Sequence, residues 1–133
     1  MGGIVVDSSA LLALLFFEED ADAIEKAIGN ATRIFISSVT FAEAGIVFDS
    51  SDYAKNNPKE LDQLLSLIAA EIIPVSEAQA VEARKTYKKF GKGRHPAKLN
   101  MGDCFSYALA KEKKLPLLYK GNDFSKTDIV SVL

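Results

Sequence analysis

Short apolar runs that alternate with helical segments are the feature that most limits the folds open to this chain. Because parallel strands need a long crossover connection, usually a helix, this alternation predicts a mostly parallel sheet with helices on both faces. The expected fold class is therefore α/β, with a central five-stranded sheet. The five predicted strands are Ile4–Val6, Ile34–Ile36, Ile72–Val75, Leu117–Tyr119 and Ile129–Val132.

Helical periodicity and capping residues predict the segments between these strands. The polar residues 50–57 are expected to form a loop, and residues 91–99, with two glycines and a proline, an exposed loop. The predicted helices are Ser8–Phe17, Ala21–Ile28, Val39–Phe48, Pro58–Ala70, Ser76–Gly91 and Cys104–Lys113.

The size and composition of the chain exclude several classes of protein. With 133 residues, the chain is expected to form a single domain, residues 1–133. Its longest apolar stretch, Ala10–Phe17, is far shorter than the roughly 20 residues that span a bilayer, so we expect a soluble, cytoplasmic protein. With one cysteine and one histidine, neither an internal disulfide nor a Cys/His zinc site can form, and any metal must be held by oxygen.

Glu43 is the acid that a purely structural role explains least well. Helical spacing places Val39, Ile46 and Val47 beside it, so its face of the helix is apolar. An ionised carboxylate without a partner is costly on such a face, and the neighbouring sequence has no Lys or Arg to pair with it. The alternative is a carboxylate that reaches water at the edge of the core or pairs with a distant cation.

Three further acids lie at predicted strand ends or helix starts. Asp7 follows the first strand, Asp103 precedes the last helix, and Asp123 follows the strand that ends at Tyr119. Each has an ordinary structural explanation, since Asp is common at helix N-caps and in turns. In open parallel sheets, however, sites lie beyond the carboxyl ends of the strands, where such acids can converge.

A converging set of acids favours a bound cation. Two carboxylates about 4 Å apart repel by roughly 4 kcal/mol at an effective dielectric constant of 20, so several in one cleft need protonation or a divalent ion. Mg2+ or Mn2+, held by carboxylates and water, suits chemistry on phosphate groups.

The charge of the chain is unevenly distributed. Residues 84–98 contain seven Lys or Arg and no acid, whereas the rest of the chain has a net charge of −9. We call residues 84–98 the basic segment. It is suited to attracting phosphate, while the alternative is a solvated helix face and loop.

The order and spacing of four stretches resemble the PIN-domain ribonucleases, and more closely the VapC-type toxins of bacterial toxin-antitoxin pairs. The stretches are I-V-V-D-S-S-A around Asp7, S-S-V-T-F-A-E around Glu43, L-N-M-G-D-C-F-S-Y-A-L-A around Asp103 and L-L-Y-K-G-N-D-F around Asp123. Together they cover nearly the whole chain. The last acid departs from the Thr-x-Asp pattern of many relatives, since it lies in Gly-Asn-Asp-Phe.

The resemblance implies a three-layer α/β/α fold and a Mg2+- or Mn2+-dependent site that hydrolyses RNA. Asp7, Glu43 and Asp103 would hold the principal metal, directly or through water, and Asp123 would assist that metal or a weaker second one. Water activated by the metal would attack an RNA phosphodiester in line.

Other residues are expected beside these acids. Ser9 and Thr40 match small hydroxyl positions next to the site in the family. Lys120 is a candidate contact to the scissile phosphate, with an exposed turn lysine as the alternative. Arg94 and Lys98 are expected to steer the RNA backbone towards the acids, because the basic segment ends only a few residues before Asp103.

The resemblance also implies a homodimer and a cognate antitoxin that blocks the acidic site. The helices around Leu11–Phe17 and Phe41–Phe48 are candidate surfaces for these partners, with ordinary core packing as the alternative. His95 is expected to contact RNA or to be a simple loop residue, and Cys104 is expected in the core.

Three other functions are compatible with an α/β chain of this length. A phospho-signalling receiver domain would need a phosphoacceptor Asp after the third strand, where the sequence is I-I-P-V-S-E. A haloacid-dehalogenase-type phosphatase would need an Asp two residues after Asp7, where Ser9 stands. A catalytically silent PIN-like module that binds RNA or a partner without cutting is the non-enzymatic alternative.

Overall fold

The computed structural model describes residues 2–133 and contains an open parallel sheet surrounded by helices. No helix in this range is long and apolar enough to cross a membrane. The strands are β1 (Ile4–Val6), β2 (Ile34–Ser37), β3 (Glu71–Ile73) and β4 (Leu117–Leu118). The helices are α1 (Ser8–Leu15), α2 (Ala21–Asn30), α3 (Ser38–Asp49), α4 (Asp52–Asn56), α5 (Glu60–Leu67), α6 (Glu77–Phe90) and α7 (Met101–Lys113), and a 3-10 turn covers Phe124–Lys126.

The sheet has the strand order β3-β2-β1-β4, and all three pairings are parallel. Val5 is paired with Phe35 on one side and with Leu117 on the other, so β1 lies at the centre. Every residue of β1 is completely buried, which explains why its sequence is an uninterrupted apolar run. The predicted α/β class is confirmed.

The three-layer arrangement follows from the two faces of β1. Val5 packs into one core cluster with Phe90 of α6 and Leu109 of α7. Ile4 and Val6 point to the opposite face, where a second cluster contains residues of α1, α2 and α3. Because successive side chains of a strand alternate between faces, both faces of this sheet are covered by helices.

The prediction of five strands is corrected to four. The predicted strand at residues 129–132 forms only an isolated parallel bridge between Ser131 and Leu117. The Leu117 N–H donates to the Val130 carbonyl (2.9 Å), and the Val132 N–H donates to the Leu117 carbonyl (3.1 Å). Strand β4 has only two residues, so a neighbouring segment can pair with it over a very short length.

A short helix, α4, lies where the sequence predicts a loop at residues 50–57. Ser51 caps it, and the ring of Tyr53 packs edge-on against Phe48 with centroids 6.3 Å apart. The Tyr53 hydroxyl donates to both carboxylate oxygens of Glu60 (2.7 and 2.9 Å). These contacts to α3 and α5 stabilise a helix that the local composition does not indicate.

The bounds of α1, α2 and α5 also differ from the predictions. Helix α1 ends at Leu15 because Phe17 adopts a left-handed conformation (φ 54°), and α2 continues to Asn30 through the Gly-Asn pair expected to end it. Helix α5 begins at Glu60 and ends at Leu67, so it is shorter than the predicted 58–70.

The loop at residues 91–99 was predicted to be exposed, but part of it is buried. Gly91 and Leu99 form a parallel bridge, and Leu99 and Ala97 are completely buried. His95 Nδ1 accepts a hydrogen bond from the Ala97 N–H (3.0 Å), and its ring lies edge-on to that of Phe90. His95 therefore has a structural role in this loop, and the loop leads directly into α7.

Candidate active site

Asp7 lies at the carboxyl end of the central strand and serves also as the N-cap of α1. Its side chain is only 1% exposed. Oδ2 accepts hydrogen bonds from the backbone N–H of Ser9 (3.1 Å) and from the Ser9 hydroxyl (2.7 Å). The capping role expected of an Asp at this position is therefore present, and only one of its two oxygens is engaged in it.

The second oxygen of Asp7 is bound by a residue of α7. The Ser106 hydroxyl donates to Asp7 Oδ1 at 2.6 Å, and the Thr40 hydroxyl lies 2.8 Å from that of Ser106. Thr40 and Ser106 are completely buried. We call Ser9, Thr40 and Ser106 the hydroxyl network. It connects α1, α3 and α7 through one carboxylate and fixes the orientation of that group.

Glu43 extends from α3 towards the start of α7. The Ser8 hydroxyl donates to Glu43 Oε1 at 2.8 Å. A Cβ atom on Gly102 would lie 2.5 Å from Glu43 Oε2, so the absence of a side chain there makes room for the carboxylate. Burial raises the pKa of Glu43, opposed by the Ser8 hydrogen bond and reinforced by the charge of Asp7.

The apolar neighbours of Glu43 on its own helix do not bury it. Ile46 is 68% exposed and Val47 is 45% exposed, so this face of α3 points to solvent. The sequence predicts that these apolar neighbours make an ionised carboxylate costly at this position. That explanation is wrong, because the neighbours are exposed to solvent. The burial that affects Glu43 comes with its close approach to Gly102.

Asp103 occupies the third position of α7 and forms a capping box with Asn100. Its carboxylate accepts from the Asn100 N–H (3.0 Å), and the Asn100 side chain accepts from the Asp103 N–H (2.8 Å). Burial, opposed by the Asn100 hydrogen bond and reinforced by the charges of the other three acids, raises the pKa of Asp103 to about 7. The four acids therefore interact electrostatically at one end of the sheet.

Asp123 is the most exposed of the four acids. It precedes the 3-10 turn after β4, close to Gly121, whose φ of 96° produces the bend. No side-chain capping bond holds it. Its charge nevertheless contributes to the raised pKa of Asp103, which indicates that it faces the same region.

The chemistry of this site fits a hydrated divalent cation. Within residues 2–133, no group of three or more His, Cys, Asp or Glu residues has the geometry to hold a metal ion. Mg2+ is commonly bound through one or two carboxylates and several waters, so a compact cage is not required. The available donors are carboxylate and hydroxyl oxygens, and their mutual repulsion would be relieved by a cation. Cys104, buried with its pKa raised to about 12, is a core residue as predicted.

Lys120 is connected to the site through its backbone rather than through its ammonium group. The Lys120 N–H donates to the Ser9 hydroxyl at 3.0 Å. Its Nζ forms an ion pair with Glu18, which raises the pKa of the lysine. A contact between Lys120 and a phosphate would therefore require exchange of this carboxylate partner.

The basic segment presents its cations to solvent. Arg94 and Lys98 are both exposed, in the loop between α6 and α7. Across the described part of the chain, the ion pairs involve none of the seven Lys and Arg residues of this segment. These side chains are thus not neutralised by neighbouring carboxylates.

Three residues of the site were not identified from the sequence. Ser8 and Gly102 position Glu43, and Ser106 binds Asp7. The spacing of Asp103 and Ser106 was a usable signal, because residues three apart share a helix face. No local signal identifies the partner of either serine, since Ser106 and Asp7 are 99 positions apart.

A PIN domain family model matches residues 4–130 of this chain. The chain is 42% identical over 129 residues to a ribonuclease VapC of Mycolicibacterium smegmatis, an alignment that covers 97% of this chain and 99% of that protein. It is 43% identical over 134 residues to ribonuclease VapC28 of Mycobacterium tuberculosis, with 98% of each chain covered.

Solved structures show the same fold. VapC20 of Mycobacterium tuberculosis, a sarcin-ricin loop cleaving toxin, superposes with a TM-score of 0.76 at 15% identity over 96% of each chain. VapBC2 of Rickettsia felis, bound to a DNA fragment from its promoter, superposes with a TM-score of 0.74 at 18% identity over 97% of this chain and 96% of that one. With the family model and the close sequence relatives, these observations establish that the chain belongs to the VapC group of the PIN-domain family.

Proposed function

We propose that this protein is a metal-dependent endoribonuclease that acts in the cytoplasm as the toxin of a toxin-antitoxin pair. The observation that carries the proposal is that Asp7, Glu43 and Asp123 lie close enough to Asp103, at the carboxyl end of the sheet, for their charges to raise its pKa. Two relatives that are 42% and 43% identical to this chain are named ribonucleases. A structural neighbour is described as a sarcin-ricin loop cleaving toxin.

The catalytic residues would be the four acids, with Asp7, Glu43 and Asp103 holding the cation directly or through water. When bound, Mg2+ or Mn2+ would activate a water molecule and offset the charge that develops on the phosphoryl oxygens. The hydroxyl network holds the Asp7 carboxylate in one orientation, and Ser8 holds that of Glu43. Preorganised groups of this kind avoid reorganisation during the reaction.

The basic segment would bring the RNA backbone to these acids. An acidic cleft repels a polyanion, so a separate cationic surface is needed for binding. Arg94 and Lys98 are exposed at the end of this segment, immediately before the helix that carries Asp103. Lys120 would contact the scissile phosphate after release from Glu18.

Cleavage of a structured RNA by the purified protein, freed of any partner, tests this function. With Mg2+ or Mn2+, the wild-type chain should cut, and Asp7→Asn should cut far more slowly while keeping its circular dichroism spectrum. The loss should exceed the about 10- to 100-fold expected for groups that only support metal ligands. Asp22→Asn, which changes an exposed acid of α2, is the control. Equal cutting by Asp7→Asn, or cutting in excess chelator, would refute the metal mechanism.

A cognate antitoxin and a second copy of the chain are the proposed protein partners. Structural neighbours include a toxin-antitoxin complex from Klebsiella pneumoniae and a DNA-bound VapBC from Salmonella typhimurium. The two segments expected to contact partners are Leu11–Phe17 and Phe41–Phe48. Much of the first segment is buried in the core, but Phe17 at its end is exposed, as are Ile46 and Val47 in the second. Light scattering of the chain alone and with its antitoxin would give the stoichiometry.

A catalytically silent binding module is the second candidate. The observation in its favour is that no metal-holding group of three residues exists within residues 2–133. This candidate predicts that the protein retains RNA without cutting it under any divalent ion. Cleavage that depends on Asp7 would exclude it.

A further inference from the structure

The segment that carries Asp123 is bound to α7 through an acid further along the chain, Asp128. This carboxylate accepts hydrogen bonds from the Tyr107 hydroxyl and from Lys111 Nζ, the second at 3.0 Å. Lys111 Nζ also donates to the Tyr107 hydroxyl at 3.2 Å and lies 5.4 Å from the centre of its ring. We call Tyr107, Lys111 and Asp128 the clasp. It joins the last helix to the C-terminal segment.

Tyr107 is a fixed attachment point for the clasp. The residue is only 3% exposed, and the centre of its ring lies 5.9 Å from that of Phe90. The Asp128 side chain that it binds is half exposed. The hydrogen bond from Tyr107 holds the pKa of Asp128 below its ordinary value against the effect of burial, and Lys111 lowers it further. Two donors of α7 thus hold an ionised carboxylate at the surface.

The segment between Asp123 and Asp128 is closed by its own hydrogen bonds. The Thr127 N–H and hydroxyl both donate to the Phe124 carbonyl, at 3.0 and 2.7 Å. The Lys126 N–H donates to the Asp123 carbonyl at 3.3 Å. Phe124 itself is buried in the same core cluster as Tyr107. Because the turn is braced in this way, a displacement of Asp128 is expected to displace Asp123 as well.

Helix α7 carries both the clasp and one of the four acids. Asp103, Tyr107 and Lys111 follow one another at intervals of four residues, so they lie along one face of the helix. The charge of Asp123 acts on Asp103, although no side-chain capping bond holds Asp123 itself. The clasp therefore connects the two segments that supply Asp103 and Asp123.

We propose that the clasp positions the Asp123 carboxylate beside Asp103 and so completes the acidic site. Its three members act through Asp123 and contact neither the RNA nor the cation, so they are positioning residues. The proposal rests on the proposed function and adds to it residues outside the four acids and the hydroxyl network. An ion pair that only stabilises the C-terminal segment is the alternative.

RNA cleavage and Mn2+ affinity, measured on the same variants, test the clasp. Tyr107→Phe removes the hydroxyl and keeps the buried ring, and Asp128→Ala removes the acceptor. Each should lower cleavage and Mn2+ affinity by about 10-fold, the lower end of the range for groups that support metal ligands. Glu71→Ala is the matched control, because it breaks the ion pair of Arg33 and Glu71, which lies where β2 and β3 begin. It should change neither quantity.

Combination with Asp123→Asn separates positioning from stability. In that background, Tyr107→Phe and Asp128→Ala should cause no further loss of cleavage or Mn2+ affinity, because the carboxylate that they position is absent. Additive losses would overturn the proposal, as would wild-type cleavage and affinity in both single variants. A loss in Asp128→Ala without a loss in Tyr107→Phe would also overturn it, by assigning Asp128 to the acidic site itself.

The two proposals can fail separately. If no divalent ion supports cleavage, but both clasp variants weaken Mn2+ binding only when Asp123 is present, the clasp stands and the nuclease function fails. If the wild-type chain cleaves and Asp123→Asn cleaves poorly, while Tyr107→Phe and Asp128→Ala match the wild type, the nuclease function stands and the clasp fails.

Discussion

At the level of single residues, Asp7 combines two roles that the sequence presents as alternatives. One oxygen accepts the Ser9 N–H as a helix cap, and the other accepts the Ser106 hydroxyl. Because a carboxylate has two oxygens with several acceptor positions, capping the helix does not prevent it from serving the acidic site. A capping residue at the end of a buried strand is thus compatible with catalysis.

Ser106→Ala tests whether the hydroxyl network positions Asp7. The change removes the donor to Asp7 and leaves Thr40 without its partner, so we expect a loss of stability of about 1 to 3 kcal/mol. Cleavage should fall by about 10- to 100-fold, as for other groups that orient metal ligands. A weaker apparent affinity for Mn2+, measured by titration of the folded variant, would separate positioning from stability. Ser66→Ala, at an exposed position on α5, should change none of these quantities.

Gly102→Ala tests the close packing of Glu43 against α7. The new methyl group would meet the Glu43 carboxylate at 2.5 Å and displace it. Because alanine is favoured over glycine in helices by about 1 kcal/mol, we expect cleavage to fall with little loss of stability. Gly29→Ala in α2 is the matched control, since nothing lies within 4 Å of its added Cβ. If both variants cleave equally, Gly102 does not position the acid.

Asp103→Asn should change how the stability of the metal-free protein depends on pH. The pKa of Asp103 is raised from 3.8 to about 7 in the folded chain. Its contribution to stability is therefore present below pH 3.8 and is lost as the pH rises through about 7.

The amide keeps an acceptor for Asn100 but cannot ionise. At about pH 8, Asp103→Asn should be more stable than the wild type by about 2 kcal/mol, a value discounted for partial solvent exposure. Urea unfolding of both proteins at about pH 5 and pH 8, in chelator, measures this difference. A stability difference that is the same at both values of pH would contradict the assignment.

At the level of elements, the strands were predictable where burial is complete. The apolar runs of β1 and β2 coincide with the predicted strands almost residue for residue, because their side chains are buried on both faces of the sheet. The run at residues 129–132 is also rich in β-branched apolar residues, but it lies beside a two-residue strand. The length of a neighbouring strand is not encoded in the local pattern.

The start of α7 has a local capping signal, but the predicted start lies three residues too late. Asn100 and Asp103 form a capping box, a signal that lies within four residues of sequence, yet the predicted helix begins at Cys104 rather than at Met101. Helix α4, in contrast, is supported by Tyr53 contacts with other elements. Tertiary contacts of this kind can override weak local propensity.

At the level of the whole molecule, the positions of the four acids were predictable, but their surroundings were not. Strand ends in a parallel sheet meet at one edge, so the sequence alone indicates where Asp7, Glu43, Asp103 and Asp123 lie. The contacts that orient them join distant parts of the chain: Thr40 and Ser106 are 66 positions apart. Such pairings depend on how α3 and α7 pack, which no local pattern specifies.

The central claim is that these acids form a site for a divalent cation. Titration of Mn2+ into the metal-free protein without RNA tests this claim most directly. The measured affinity then depends neither on the choice of RNA substrate nor on the formation of a protein–RNA complex. The wild-type chain should bind Mn2+, and Asp7→Asn and Glu43→Gln should each bind it more weakly by at least about 10-fold, while Asp22→Asn binds as the wild type does. No Mn2+ binding by the wild type, or equal affinity in all four proteins, would contradict the claim.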